Sequence, residues 1–212
     1  MGARTRLVTL GTIGILSVLQ STIVNAVVSG CDGSNPDIAI ADCTDIIQSG
    51  SAAPYALAGA YSNRGLAYAI RGQYGRALED YSQAIKYQPD FALAYNNRCY
   101  ALAQLVKLEE ALADCQKALR LTPRDPNVLD SRAYVFLRMG KYAEAIKDYD
   151  EALGLSPRLV QSLYGRGVAK LKAGNAAAAA KDLAAAKAID PDIEKKVVGI
   201  GLIVNSAERA AR

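Results

Sequence analysis

Four cysteines, Cys31, Cys43, Cys99 and Cys115, are the strongest nucleophiles and soft metal ligands in this 212-residue chain, and they have no histidine to work with. Without an imidazole there is no Ser–His–Asp or Cys–His set, and the commonest general acid–base and metal ligand is missing. No C-x-x-C spacing occurs, so a zinc site lacks its usual frame, and no glycine-rich phosphate loop appears. Carboxylates offer a second chemistry. Glu109-Glu110 is an adjacent pair, but glycoside hydrolysis needs two carboxyl groups facing each other across a cleft, and this pair sits in a charged stretch near a turn. The sequence therefore reads as non-catalytic, with no cofactor and no metal. What remains is cysteine pairing and ion pairing, and both depend on the elements that hold these residues.

The first element is a leader. Arg4 and Arg6 precede an apolar run from Leu7 to Leu19, and Val24-Asn25-Ala26 places small or branched residues at a cleavage position. This is the layout of a secretory signal over 1–26. Two other readings stay open. Val28-Ser29-Gly30-Cys31 resembles a bacterial lipobox with Cys31 as the lipidated residue, and the uncharged stretch Leu7 to Gly30 is long enough for a membrane anchor. In each case the two arginines stay inside and the body emerges on the far side, which predicts an exported, periplasmic protein. The only membrane contact foreseen is through this segment, if it is uncleaved or lipidated.

With 25 basic and 21 acidic residues the net charge is +4, and losing Arg4 and Arg6 with no acid lowers it to +2. That balance, with the two signs interleaved, excludes nucleic acid as the expected partner and reads as solvated helix faces.

Beyond the leader the sequence repeats itself every 34 residues. Arg64, Arg98, Arg132 and Arg166 align, followed by Gly65, Cys99, Ala133 and Gly167. Ala77, Ala111, Ala145 and Ala179 form a column, as do Asp80, Asp114, Asp148 and Asp182. Ala84, Ala118, Ala152 and Ala186 follow, and Pro89, Pro123, Pro157 and Pro191 close each copy. Each copy holds two amphipathic stretches, such as Leu57–Arg71 and Tyr74–Tyr87, parted by Gly72 or its equivalent. The proline column ends the second helix and turns the chain into the next copy.

Gly65, Tyr68, Gly72, Tyr74, Ala77, Tyr81, Ala84 and Pro89 resemble the signature of the tetratricopeptide repeat (TPR), whose period is 34. The copies run 58–91, 92–125, 126–159 and 160–193. The resemblance implies an all-α fold: antiparallel helix pairs stacked into a right-handed superhelical array. An extra helix is expected in the lead-in 27–57 and a capping helix in 194–212, where Val197, Val198, Ile200, Leu202, Ile203 and Val204 read as an apolar lid. The fourth copy departs from the others at Lys170, Ala176 and Leu183, as terminal repeats do. Antiparallel pairing puts each Arg and Asp of the columns at similar heights. It predicts an Arg–Asp ion pair within each repeat or between neighbours, worth about 0.2–1 kcal/mol if partly exposed.

Even cysteine parity in an exported chain favours disulfides. Cys31 and Cys43 flank the helix start Asn35-Pro36-Asp37, and Cys99 and Cys115 fall one on each helix of the second repeat. The expected pairs are Cys31–Cys43 and Cys99–Cys115. For Cys99 a second reading stays open, a small core residue in the slot that glycine or alanine fills elsewhere. The Cys43-Thr44, Asn96-Asn97-Arg98-Cys99 and Asp114-Cys115 runs are similar to those of bacterial exported TPR proteins.

In this family ligands lie in the concave groove formed by the first helix of each repeat. The resemblance places Ser62, Asn63, Leu66, Ile70, Asn96, Asn97, Tyr100 and Gln104 there, then Asn127, Asp130, Tyr134, Arg138, Tyr164, Val168, Leu171 and Lys172. Tyr100, Tyr134 and Tyr164 are not required by the repeat and are expected as exposed anchors. A carboxylate clamp would need basic residues where Ser62, Leu66, Asn96 and Tyr100 stand, and it is absent. A backbone-holding asparagine ladder begins at Asn63 and Asn97 and stops at Ser131 and Gly165. The expected function is a protein-interaction scaffold of the cell envelope, with an unidentified protein or peptide as partner. A membrane-attached lipoprotein for envelope assembly is the alternative, and a homo-oligomer is open but not indicated.

Overall fold

A computed structural model describes Cys31 and residues 35–198; the leader, the 32–34 segment and 199–212 lie outside it. The described residues form helices joined by short turns, without strands. The first, α1 (Pro36–Gln48), starts at Asn35, whose side chain accepts the Asp37 N–H at 2.9 Å, with Pro36 at the first helical position. Four pairs follow: α2 (Pro54–Ile70) with α3 (Tyr74–Tyr87), α4 (Ala92–Gln104) with α5 (Leu108–Leu121), α6 (Pro126–Arg138) with α7 (Tyr142–Leu155), and α8 (Val160–Lys172) with α9 (Ala176–Ile189). A short α10 (Ile193–Val198) ends the described chain, with Ile193 and Val197 buried against the last pair. Consecutive helices pack on one another throughout, which is a solenoid.

The turn inside each pair uses one device. Gly72, Gly140 and Gly174 adopt positive φ, and the next residue's N–H reaches back into the first helix: Gln73 to Tyr68 O at 2.8 Å, Lys141 to Phe136 O at 2.9 Å and Asn175 to Lys170 O at 2.9 Å. This satisfies a carbonyl that the helix end leaves orphaned. The second pair makes the same bond, Lys107 to Leu102 O at 3.0 Å, but with Val106 at φ 61° in the glycine position.

The two alanine columns are fully buried and let paired backbones approach. A third close approach occurs between residues 16 apart. A Cβ added to Gly65 would meet the Tyr81 ring at 2.8 Å, and one added to Gly167 would meet Leu183 at 2.7 Å. Cys99 and Cys115 occupy these same two positions in the second pair, and there the contact is a bond: S–S 2.06 Å, Cα–Cα 5.4 Å. Cys99 is thus both a small core residue and half of a disulfide. Cys31 and Cys43 are bonded as well, buried with Ala60 where α1 meets α2.

Every repeat carries its Arg–Asp rung. Arg64–Asp80, Arg98–Asp114, Arg132–Asp148 and Arg166–Asp182 are two-pronged, with Nε and Nη2 donating to the two carboxylate oxygens at 2.6–2.9 Å. The remaining guanidinium nitrogen reaches back one unit: Arg64 Nη1 donates to Thr44 at 3.0 Å, Arg98 Nη1 to Ser82 at 3.1 Å and Arg166 Nη1 to Asp150 at 2.7 Å. The pair is therefore within the repeat, and the same arginine also ties adjacent units. The aspartate side chains are only 5–11% exposed. The arginine side chains are 17–25% exposed, so each rung joins a partly exposed guanidinium to a mostly buried carboxylate, and removing the arginine strands that carboxylate.

Candidate functional site

The first helices of the four pairs, α2, α4, α6 and α8, line one face, and α6 touches both α4 and α8. The best-formed cavity on this face, about 330 Å³, is bounded by Leu66, Ala69, Ile70, Tyr74, Tyr81, Asn96, Asn97, Tyr100 and Ser131. Its rim is apolar and open to solvent: Leu66 is 45% and Ile70 66% exposed. Asn96, by contrast, is nine-tenths buried, and its Oδ1 has no hydrogen-bond partner.

Neighbouring hollows continue the groove in both directions. A small one of about 80 Å³ lies between α1 and α2 and includes Asn63, Leu66 and Ile70. Another of about 360 Å³ shares Asn96 and Asn97 with the main cavity and adds Leu93, Asn127 and Val128. Asn97 therefore stands between two cavities, and Asn63 belongs to the third.

Beyond Tyr100 the contacts run through the buried Tyr134 to Arg138. The Tyr100 and Tyr134 rings lie 5.7 Å apart. The Tyr134 hydroxyl accepts from Gln104 Nε2 at 3.1 Å and from Arg138 Nη1 at 2.7 Å, and the Arg138 guanidinium sits 5.7 Å from the ring centre. Burial pushes the Tyr134 phenol above its usual range, partly offset by the Arg138 hydrogen bond.

Asp130 is half-buried on the same stretch, and Ser162 donates to its Oδ1 at 2.5 Å. Burial pushes its carboxyl up to about 6, because a desolvated carboxylate is disfavoured and one serine hydroxyl offsets only part of that.

A family model described as tetratricopeptide repeat matches residues 62–126 and 131–192, well over half of the chain. The chain belongs to the tetratricopeptide-repeat family. Its TPR fold is similar to solved structures of MamA. One, from Desulfovibrio magneticus RS-1, is 17% identical with a TM-score of 0.62, covering 85% of this chain and 98% of that one. A further MamA crystal structure gives 18% identity and a TM-score of 0.61 over 82% and 96%. The Arabidopsis OM64 TPR domain is 24% identical with a TM-score of 0.53, covering 55% of this chain and 97% of that domain. Likeness at these identities establishes the fold alone. No curated protein matches the sequence.

Against the TPR expectation, Leu66, Ile70, Asn96, Asn97 and Tyr100 come together around one cavity, and Gln104, Tyr134 and Arg138 form a hydrogen-bonded cluster behind it. Tyr134 and Tyr164 are not exposed anchors: they are 3% and 2% exposed, and Val168 is 3% exposed. The later first helices close on one another, so these side chains become core, while Tyr100 lines the main cavity. Lys172 is exposed and lies outside the cavities described. Sequence reasoning missed Tyr74, which opens α3 yet walls the cavity, and Ser162, which holds Asp130 across the next repeat. Tyr74 belongs to the second helix of its repeat, which the family pattern assigns to the outer layer.

Proposed function

We propose that this chain is a non-catalytic protein-interaction scaffold, exported across a membrane, that holds an extended segment of another protein along its inner face. The observation that carries the reading is the cavity between α2 and α4, apolar at its rim and bordered by the Asn96 and Asn97 carboxamides. Apolar lining with a few polar groups is what ligand-binding concavities have, and exposed Leu66 and Ile70 have no packing role in the monomer's core. Asn97, at the boundary between two cavities, is placed to hold peptide backbone, while Asn63 serves the neighbouring hollow.

The two disulfides favour an oxidising compartment, consistent with periplasmic export. Cys31 spends its sulfur on Cys43, leaving none to carry a lipid, which favours secretion over the lipoprotein alternative. Among the described residues no helix is long and apolar enough to cross a membrane.

In the native host, a photo-crosslinking residue at Ile70 should capture a discrete partner, and one at Glu109, on the outer helix α5, should not. Equal capture at both positions, or none at either, would refute the groove. Mass spectrometry of the mature N-terminus tests export: a start near residue 27 with Cys31 disulfide-bonded is expected, and an acylated Cys31 at the terminus contradicts it.

A further inference from the structure

The inner face is graded along the array. Ile70, Gln104 and Arg138 occupy one repeated position, so that position passes from apolar through neutral to cationic. Leu66 and Ile70 flank the main cavity. Among the described residues Arg138 pairs with no carboxylate; its nearest company is the Tyr134 hydroxyl and ring. Tyr100, the cavity wall, lies 5.7 Å from Tyr134, whose ring lies 5.7 Å from the Arg138 guanidinium. Together the two steps span at most about 11 Å, roughly three residues of polyproline-II-like extended chain at ~3.1 Å each, in which residues three apart share a face. At the cavity itself Asn96 Oδ1 is a buried acceptor without a donor, a group that carries its full desolvation penalty until something supplies one. The terminal torsion of an asparagine is soft, so a small turn brings this oxygen to the cavity.

Resting on the protein-binding reading above, we propose that this face selects an extended peptide with a bulky aliphatic or aromatic side chain and an acidic residue three or four positions away. The apolar side chain fills the cavity between α2 and α4, its backbone N–H donates to Asn96 Oδ1, and the acid meets Arg138. A basic peptide has no comparable place, because its charge would meet Arg138. Asp130 opposes the incoming acid from the same face. Its removal is therefore expected to strengthen binding, and dependence of that gain on the peptide's acid separates it from the stabilisation that the same change gives the fold.

Panning a phage-displayed random dodecapeptide library against the full chain reads the preference directly. Enriched sequences should share a bulky apolar residue with Asp or Glu three or four positions away. Enrichment of basic sequences, or of sequences without that pairing, overturns the inference while the protein-binding reading stands. Absence of enrichment overturns it as well, and the Ile70 crosslink then decides separately whether the groove binds protein at all. With the leading peptide labelled with a fluorophore, Arg138→Gln should weaken binding about fivefold and Asp130→Asn should tighten it by about the same factor. Replacing the peptide's acid by Gln should abolish both responses. Unchanged affinity in the two variants, with melting curves showing both folded, rejects the assignment. Ile70→Asn, on a residue two-thirds exposed, should cost at least tenfold without affecting the fold, and no loss there also counts against it.

Discussion

Asp130 and the ladder aspartates share a residue type and partial or full burial, yet they differ in what compensates them. Asp148 has two charge-assisted bonds from Arg132 at 2.6 and 2.9 Å; Asp130 has one serine. Replacing Arg132 by Met should cost about 3–5 kcal/mol, because it strands Asp148. Adding Asp148→Leu should recover much of that loss in urea denaturation, as the ion pair is replaced by apolar bulk. For Asp130 the linkage runs the other way. Its folded pKa of about 6 exceeds an unfolded value near ~3.9, so the folded state binds the extra proton and stability falls as pH rises from about 4 through 6. Asp130→Asn should therefore stabilise the chain at pH 7.5 by on the order of 2 kcal/mol and change little at pH 4.5. Asp182 has the opposite sign: burial raises its pKa, but hydrogen bonds from Arg166 and Lys170 prevail and hold it low. Its contribution is present above the usual Asp range and is lost as pH falls through the folded value. The rungs were legible in the sequence, because Arg and Asp recur in register. The Asp130–Ser162 contact was not, since it joins two repeats through residues that belong to no repeated column.

At the scale of the element, the period tells which positions do equivalent work, and the exceptions become informative. Residues 72, 106, 140 and 174 make the same turn, so the valine at 106 stands in a conformation that three glycines adopt without a Cβ penalty. It is 64% exposed, so its side chain gains little there. Val106→Gly should raise stability by about 0.5–1 kcal/mol, the relief of strain exceeding the added freedom of the unfolded chain; a lower urea midpoint would contradict this. The Cys99–Cys115 bond replaces the ring-on-glycine contact of Gly65 with Tyr81. Breaking it with Cys99→Ala and Cys115→Ala should cost about 3 kcal/mol. Cys99→Gly with Cys115→Tyr should recover part of that loss in reducing buffer, as the repeat's ordinary packing is restored. The helix pairs and their turns were readable from the proline, alanine and glycine columns. The burial of Tyr134 and Tyr164 was not, because a single repeat does not reveal how closely successive first helices approach.

For the whole molecule, the repeat pattern identified the family, while the contacts from Tyr100 through the buried Tyr134 to Arg138 depend on how successive first helices pack. The disulfides have a consequence at this scale that concerns force. Pulled from its two ends, a stack of helix pairs unravels until it reaches a covalent short circuit. Cys31–Cys43 withholds a segment with a sequence separation of 12, and Cys99–Cys115 one of 16. At ~3.5 Å of extended chain per residue, the oxidised protein should stretch roughly 80–100 Å less than the reduced one. Optical tweezers would show that deficit vanish on adding reductant, and equal contour lengths in both states would mean that the bonds are not formed. Under load from its two ends, the oxidised chain would thus transmit force through the second repeat without ever fully unravelling it.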